Sequence, residues 1–292
     1  MAYLSIVVCV LLGAFNTLLS KKFQTSFSES LLNFVKYNLL NALCACFFLF
    51  AINLFKINVN LTTFLYSLVY AMVVICALVL NFFAYKFVSV SLVSILSTSG
   101  AIVLPTMFTV FYLGNKPTVT IIISVVLMII ATVIPYVGTK QKFSKATLPV
   151  CLAFFVISGA SSIVLKLFTL EQTATDSGSL FILTNVIIAV ISILVLSAIL
   201  ISKRATIKDL SKPFPLKTTL NIVARTAFSN LSSVFSVFAI ALMSLPVYSV
   251  TTSSIGMFSA FILSIFVFKE KFSIVQAISL FLSVCALVIS VL

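Results

Sequence analysis

The sequence predicts an all-α polytopic membrane protein with ten transmembrane helices in two inverted five-helix repeats. Of its 292 residues, 62% are apolar and only 8% are charged, against roughly 45–50% and about 25% in soluble domains. The outside of a membrane protein must be apolar as well as its core, which explains the excess. A weak similarity between the two halves of the chain predicts the repeat.

A membrane-spanning helix needs about 20 mostly apolar residues, and ten such segments follow one another along the chain. Lys21 and Lys22 come after the first apolar run instead of before it, so we interpret that run as a retained helix and not as a signal peptide. The predicted helices are Ala2–Ser20, Ser28–Leu54, Leu61–Tyr85, Phe87–Leu113, Pro117–Gly138, Ala146–Leu170, Gly178–Ser202, Thr218–Met243, Pro246–Phe268 and Phe272–Leu292.

The charge distribution predicts how the helices cross the membrane. The chain has 18 Lys and Arg against 5 Asp and Glu, and thirteen of the basic residues fall in the loops after odd-numbered helices, against three near the even-numbered loops. Basic loops face the cytoplasm, so both termini are expected outside, in a multi-pass protein of the bacterial plasma membrane. Membrane loops explain the basic excess better than nucleic-acid binding does.

The two halves repeat each other at a constant offset. A shift of 155 places Ser94 on Ser249 and Lys116 on Lys271. Because each half has five spans, the second copy must be inverted relative to the first, an arrangement typical of secondary transporters. A chance match of Ser and Thr is the alternative. The predicted division is a first repeat at 1–138, a basic linker at 139–145 and a second repeat at 146–292.

Short motifs at the start of each half carry a family resemblance. Ala14-x-Asn16-x4-Lys21 and Gly159-x-Ser161-x4-Lys166 resemble the motif that opens each half of EamA-type proteins of the drug/metabolite transporter superfamily. The stretch 268–273 resembles that family's acidic turn, although Asn115 replaces the usual Glu in the first half. The resemblance implies ten helices, alternating access and a central cavity lined by helices one, three, four, six, eight and nine.

The chain has few of the residue types that form catalytic sites. The chain has no His, the 5 Asp and Glu fall at helix ends or in loops, and the 6 Cys lie within apolar runs. Without a general base, a metal-ligand cluster or a phosphate-binding Gly-rich loop, we predict neither an enzyme nor a cofactor. An intramembrane carboxylate is also missing, which argues against proton exchange for cationic drugs through such a group.

Two cations within predicted spans are the strongest site candidates. Lys36 and Arg225 each lie about 12 Å along their helices from the cytoplasmic end. A charge at that depth costs about 2.5–3.5 kcal/mol, which an anionic or zwitterionic ligand in a wet cavity would offset. Arg225 can bind a carboxylate or phosphate through two nitrogens. The alternative is that both side chains reach out to lipid headgroups or to neighbouring carbonyls.

Hydroxyl and amide side chains supply the remaining candidates. Helices four and nine begin with matching polar faces, and Pro105 offers a hinge. Close helix packing is the alternative role for each small polar residue. The further predicted substrate-binding residues are Asn16, Tyr70, Asn81, Tyr85, Ser94, Ser97, Thr98, Ser249, Thr252 and Ser253.

We therefore expect a secondary active or facilitative transporter of a small anionic or zwitterionic metabolite, such as an amino acid or organic acid. A phosphorylated-sugar or nucleotide-sugar exchanger is an alternative, and a membrane scaffold or channel is an alternative of another class. The expected partners are the small-molecule substrate and membrane lipid, without nucleic acid, and the expected state is a monomer or homodimer.

Overall fold

A computed structural model describes residues 4–13, 15, 31–53, 56–87, 90–114, 118–134, 148–172, 176–202, 213–266 and 274–291. These residues form ten helices and no strand, which confirms the all-helical class over this part of the chain. The helices are α1 (Leu4–Gly13), α2 (Leu31–Ile52), α3 (Leu61–Phe87), α4 (Val90–Phe111), α5 (Val119–Val133), α6 (Leu148–Glu171), α7 (Ser177–Ile201), α8 (Leu216–Leu242), α9 (Leu245–Phe266) and α10 (Ile274–Val291).

The helices have the apolar exterior of a membrane protein. Five helical segments within α2, α3, α6, α7 and α8 are long and apolar enough to cross a bilayer by length and composition. Large apolar side chains also cover their outer faces: Phe47 of α2 is 79% exposed and Ile201 of α7 is 82% exposed. Contact of such a surface with lipid is favourable, whereas its exposure to water costs free energy.

Local chemistry sets several helix boundaries. Pro215 directly precedes α8 with its φ at −51°, and the fixed ring geometry of proline favours a helix start. Thr118 precedes α5, and its hydroxyl accepts a hydrogen bond from the backbone of Ile121 at 3.4 Å. The boundary between α3 and α4 was predicted wrongly: Phe87 ends α3 and does not begin α4, which starts at Val90.

The two halves of the chain pack extensively against each other. The most extensive helix–helix contacts are those of α4 with α6, α2 with α7 and α5 with α10. At the α4–α6 contact, a Cβ added to Gly100 would overlap the backbone oxygen of Phe155. A Cβ on Gly159 would lie 2.5 Å from Leu104 Cβ. Both glycines therefore allow the two backbones to approach closely, as small residues do between membrane helices.

The main hydrophobic core lies toward one end of the bundle. This end also holds residues 56–60, 172, 176 and 243–244, and we call it the even-loop end because these residues follow even-numbered helices. The opposite end is the odd-loop end. Residues of α1, α2, α6, α7, α8 and α9 fill the main core, among them Phe168 and Leu180 at 0% exposure. The halves are thus closed against each other at the even-loop end.

A lysine fastens α6 to the end of α8 in the same region. The ammonium of Lys166 donates to the backbone oxygens of Ile240 at 2.8 Å and Met243 at 3.1 Å. The last carbonyls of a helix lack intrahelical donors and carry partial negative charge. Lys166 therefore acts as a cap between two elements of the second half.

Candidate functional site

Arg225 meets an aromatic side chain at the contact between α2 and α8. It is the tenth residue of α8, half-buried, and its Nη1 donates a hydrogen bond to the hydroxyl of Tyr37. Its guanidinium carbon lies 5.5 Å from the centre of the Tyr37 ring. The arginine is therefore directed into an interhelical contact, where both a hydrogen bond and a cation–π interaction stabilise its charge.

The position of Tyr37 is fixed by packing. Tyr37 is 8% exposed and packs with Ile222, which is 1% exposed, and with the partly buried Leu40 and Phe214. Because Ile222 precedes Arg225 by three residues, both lie on neighbouring positions of one face of α8. Apolar packing thus brings the phenol to the guanidinium. We call this contact the α2–α8 seam.

Lys36 lies in the same seam, on the side of α2 that meets the segment before α8. Its ammonium is 5.4 Å from the ring centre of Phe214, in the segment that precedes α8. The side chain is half-buried. Lys36 therefore contacts the beginning of the seam, while Arg225, nine residues into α8, lies deeper.

Amide and hydroxyl groups continue the seam beyond Arg225. The hydroxyl of Thr226 donates to Asn41 Oδ1 at 2.6 Å and approaches the backbone oxygen of Ile222 at 2.7 Å. In the part of the chain that the structure describes, Oδ1 of Asn38 has no hydrogen-bond partner, although the residue is only 6% exposed. A buried acceptor without a donor is uncommon and costly. Among the described residues, the seam thus holds the cations Arg225 and Lys36 together with uncharged acceptors.

The three residues of the predicted hydroxyl face of α9 differ in their contacts. Thr252 donates to the backbone oxygens of Tyr248 and Ser249, at 2.7 and 3.2 Å. Ser249 is 3% exposed, and its hydroxyl has no partner among the described residues; Ser253 is half-buried. Of these three hydroxyls, that of Thr252 is bonded to its own helix, whereas that of Ser249 is buried without a described partner.

Tyr70 and Pro105 lie in packed surroundings. The ring of Tyr70 packs edge-on against Phe181, with 5.7 Å between ring centres, beside the main core. Pro105 is buried within α4, and its backbone oxygen accepts from Thr109 Oγ1 at 2.8 Å. Thr109 thus bonds to its own helix one turn back, and its hydroxyl is directed along α4.

The other predicted site residues cannot be compared with the structure. Asn16 and the linker 139–145 lie outside the described residues. The side chains of Asn81, Tyr85, Ser94, Ser97 and Thr98 lie outside the described part as well.

The sequence prediction missed Tyr37, Asn38, Asn41 and Thr226. Two signals for them exist. Tyr37 and Asn41 share a face of α2 at a spacing of four, and α8 carries polar residues every three or four positions at Asn221, Arg225, Ser229, Ser232 and Ser236. The far part of that stripe serves packing: Ser232 donates to the backbone oxygen of Cys9 at 2.8 Å, and Ser236 bonds Tyr248 at 2.5 Å.

The comparisons with known proteins describe the fold alone. No protein-family model matches the sequence, and no curated protein matches it. A solved structure described only as "Crystal structure of protein" resembles this chain with a TM-score of 0.73 and 15% sequence identity. The similarity covers 100% of this chain and 98% of that chain. The fold of this chain therefore also occurs in a solved structure of similar length.

Proposed function

We propose that this protein is a secondary carrier of the drug/metabolite transporter superfamily that moves a small anionic or zwitterionic metabolite across the membrane. The observation that supports the proposal best is Arg225 directed into the seam against Tyr37. A guanidinium is planar, and the geometry of its N–H groups suits pairing with a carboxylate. The proposed substrates are amino acids or organic acids.

The packing of equivalent helices supports two inverted repeats at 1–138 and 146–292. Counting five helices per half, α2 packs against its equivalent α7, α4 against α9 and α5 against α10. The contact of α3 with α7 has its equivalent in that of α8 with α2. Such pairs are expected when a two-fold axis relates the halves. The axis maps a contact between two equivalent helices onto itself, and it maps every other contact onto a second, equivalent contact.

Single residues follow the same relation. At the offset of 155, Tyr70 corresponds to Arg225, and each is the tenth residue of its helix. Tyr70 packs on Phe181 of α7, and Arg225 packs on Tyr37 of α2. In this proposal, the two equivalent positions have diverged: one belongs to the core of the closed end, and the other binds substrate.

The carrier would cross the membrane ten times, with both termini outside and no catalytic role. We propose a monomer or homodimer that requires no cofactor. A phosphorylated-sugar exchanger is the second candidate, and the presence of Lys36 in the same seam as Arg225 favours it, because two cations suit a doubly charged phosphate.

A binding screen followed by counterflow tests the proposal. The purified protein is first screened by thermal shift against organic acids, amino acids and sugar phosphates. A ligand that raises the midpoint is then loaded into proteoliposomes, and uptake of the labelled ligand from outside is measured. A carrier shows trans-acceleration, a channel shows uptake without it, and a scaffold shows no uptake.

Two variants test whether transport depends on the α2–α8 seam. Arg225→Gln should abolish counterflow while the protein remains folded. Lys217→Gln is the matched control, since Lys217 is an exposed cation of the same helix, eight residues earlier. Full counterflow in Arg225→Gln would remove the seam from the substrate site.

A further inference from the structure

A short connecting segment of the first half lies across the second half at the even-loop end. In the connection between α2 and α3, the backbone N–H of Asn58 donates to Ser179 Oγ at 2.9 Å. The side-chain amide of Asn58 also donates to Asp176 Oδ1 at 3.2 Å. Asp176 and Ser179 belong to the start of α7. Asn58 of the first half therefore donates hydrogen bonds to two neighbouring residues of the second half.

Two further side chains extend this contact toward α3 and α6. Asn60 donates through Nδ2 to Gln172 Oε1 at 3.1 Å, and its Oδ1 accepts from the backbone of Thr63 at 2.6 Å. The amide thus caps α3 while it binds the end of α6. The hydroxyl of Tyr66 donates to Glu171 Oε1 at 2.9 Å. Four hydrogen bonds therefore join the first half to the second half along this line.

The residues beneath this line are shielded from solvent. Ser177, at the start of α7, is only 1% exposed, and Phe168 of α6 is 0% exposed, with the Tyr66 ring edge-on at 5.9 Å between centres. The line thus covers the boundary between the halves at the end where the main core closes them. An opening between the halves at this end has to break all four bonds.

The energetic scale suits a reversible closure. A hydrogen bond between neutral groups contributes a modest net amount, and one to a charged group such as Glu171 or Asp176 contributes more. Several such bonds on a partly exposed surface can shift a two-state equilibrium by orders of magnitude without making it irreversible.

We infer that Asn58, Asn60 and Tyr66 form, with Glu171, Gln172, Asp176 and Ser179, a clasp that closes the even-loop end and opens once in each transport cycle. The inference rests on the proposed carrier function for its role in the cycle. The opening itself is measurable without any substrate.

A buried serine at the clasp reports on its opening. In a full-length protein whose native cysteines are replaced, Ser177→Cys introduces a thiol that a maleimide reaches only when the clasp opens. Ser283→Cys, at 0% exposure on α10, is the control thiol that becomes reactive on general unfolding. Both proteins are purified in detergent, so the side of the membrane does not matter.

The clasp is weakened by the triple variant Asn58→Ala, Tyr66→Phe, Gln172→Ala. We expect the labelling rate at Ser177→Cys to rise about tenfold or more, because three side-chain bonds are lost. Labelling at Ser283→Cys should stay unchanged. Ser197→Ala, which removes a hydrogen bond within α7, should leave both rates unchanged. An unchanged rate at Ser177→Cys, or equal rises at both thiols, would overturn the clasp.

A crosslink tests its role in the cycle. The pair Asn58→Cys and Ser179→Cys should form a disulfide that holds the clasp shut, so that oxidation stops counterflow and a reductant restores it, while neither single variant responds. Full counterflow in the crosslinked protein would overturn the gating role. If the parent protein shows no counterflow, the carrier function fails, and the labelling experiment alone decides whether the clasp opens.

Discussion

The guanidinium of Arg225 donates a hydrogen bond to the hydroxyl of Tyr37, from a residue 188 positions away in the sequence. The same phenol ring lies 5.5 Å from the guanidinium carbon. One tyrosine thus both orients the arginine and stabilises its charge next to apolar groups. The contact stabilises a positive charge that is costly to place in a membrane helix.

Removing the phenol hydroxyl should weaken binding without unfolding the protein. Tyr37→Phe keeps the ring and its packing on Ile222 but removes the acceptor of the Arg225 bond. A hydrogen bond to a charged group is worth about 1.5–3 kcal/mol. We therefore expect the Kd of the ligand that raises the thermal midpoint in the binding screen to increase about tenfold or more. Titration calorimetry measures the Kd; an unchanged Kd would show that the ligand does not depend on an oriented arginine.

The shape of the guanidinium should matter as well as its charge. Arg225→Lys preserves the positive charge but replaces a planar fork by a single ammonium. We expect the Kd of Arg225→Lys to be at least about tenfold higher than that of wild type and to lie between the Kd values of wild type and Arg225→Gln. Equal affinities for wild type and Arg225→Lys would mean that the ligand senses only charge.

Lys36 should act mainly through long-range attraction. Because it contacts the beginning of the seam, Lys36→Gln is expected to lower the rate of ligand association several-fold in low salt and to have less effect at high salt, where charges are screened. Stopped-flow binding at two ionic strengths provides the measurement. Equal losses at both ionic strengths would instead indicate a direct contact between Lys36 and the ligand.

The α4–α6 glycines should be intolerant of even one methyl group. Gly100→Ala and Gly159→Ala force a Cβ into the backbone or side chain of the facing helix, and such overpacking costs about 1–3 kcal/mol or more. Gly256→Ala is the matched control on α9, because an added Cβ meets no described atom within 4 Å. It should be neutral or raise stability by up to about 1 kcal/mol. Thermal midpoints in detergent compare the three, and a stable Gly100→Ala would contradict the close approach.

Lys166 should stabilise the end of α8. Lys166→Met keeps the length of the side chain but removes the donors to Ile240 and Met243, so we expect a loss of about 1.5–3 kcal/mol. Amide exchange should become faster at the last turn of α8. Lys56→Met, which removes an exposed lysine, should leave both measurements unchanged. Unaltered exchange at the end of α8 in Lys166→Met would show that the cap is dispensable.

The site could be predicted only in part from the sequence. Lys36 and Arg225 stood out because a charge is rare within an apolar run, and a single residue carries that signal. Thr252 and Ser249 were selected by their spacing on one helix face, but spacing does not show whether that face meets a cavity or another helix. The structure bonds Thr252 to its own helix and buries Ser249 without a described partner, so a substrate contact at either residue stays a prediction.

By itself, the sequence determined the all-helical class, the approximate helix limits and the apolar exterior, because hydropathy and helix period are local properties that add along the chain. Only the tertiary structure decided that Arg225 meets Tyr37, that Gly100 meets the backbone of Phe155 and that Asn58 reaches Asp176. Those contacts depend on the rotation of each helix about its axis and on which helices become neighbours. Both are fixed by the packing of the whole bundle, and no local stretch of sequence encodes them.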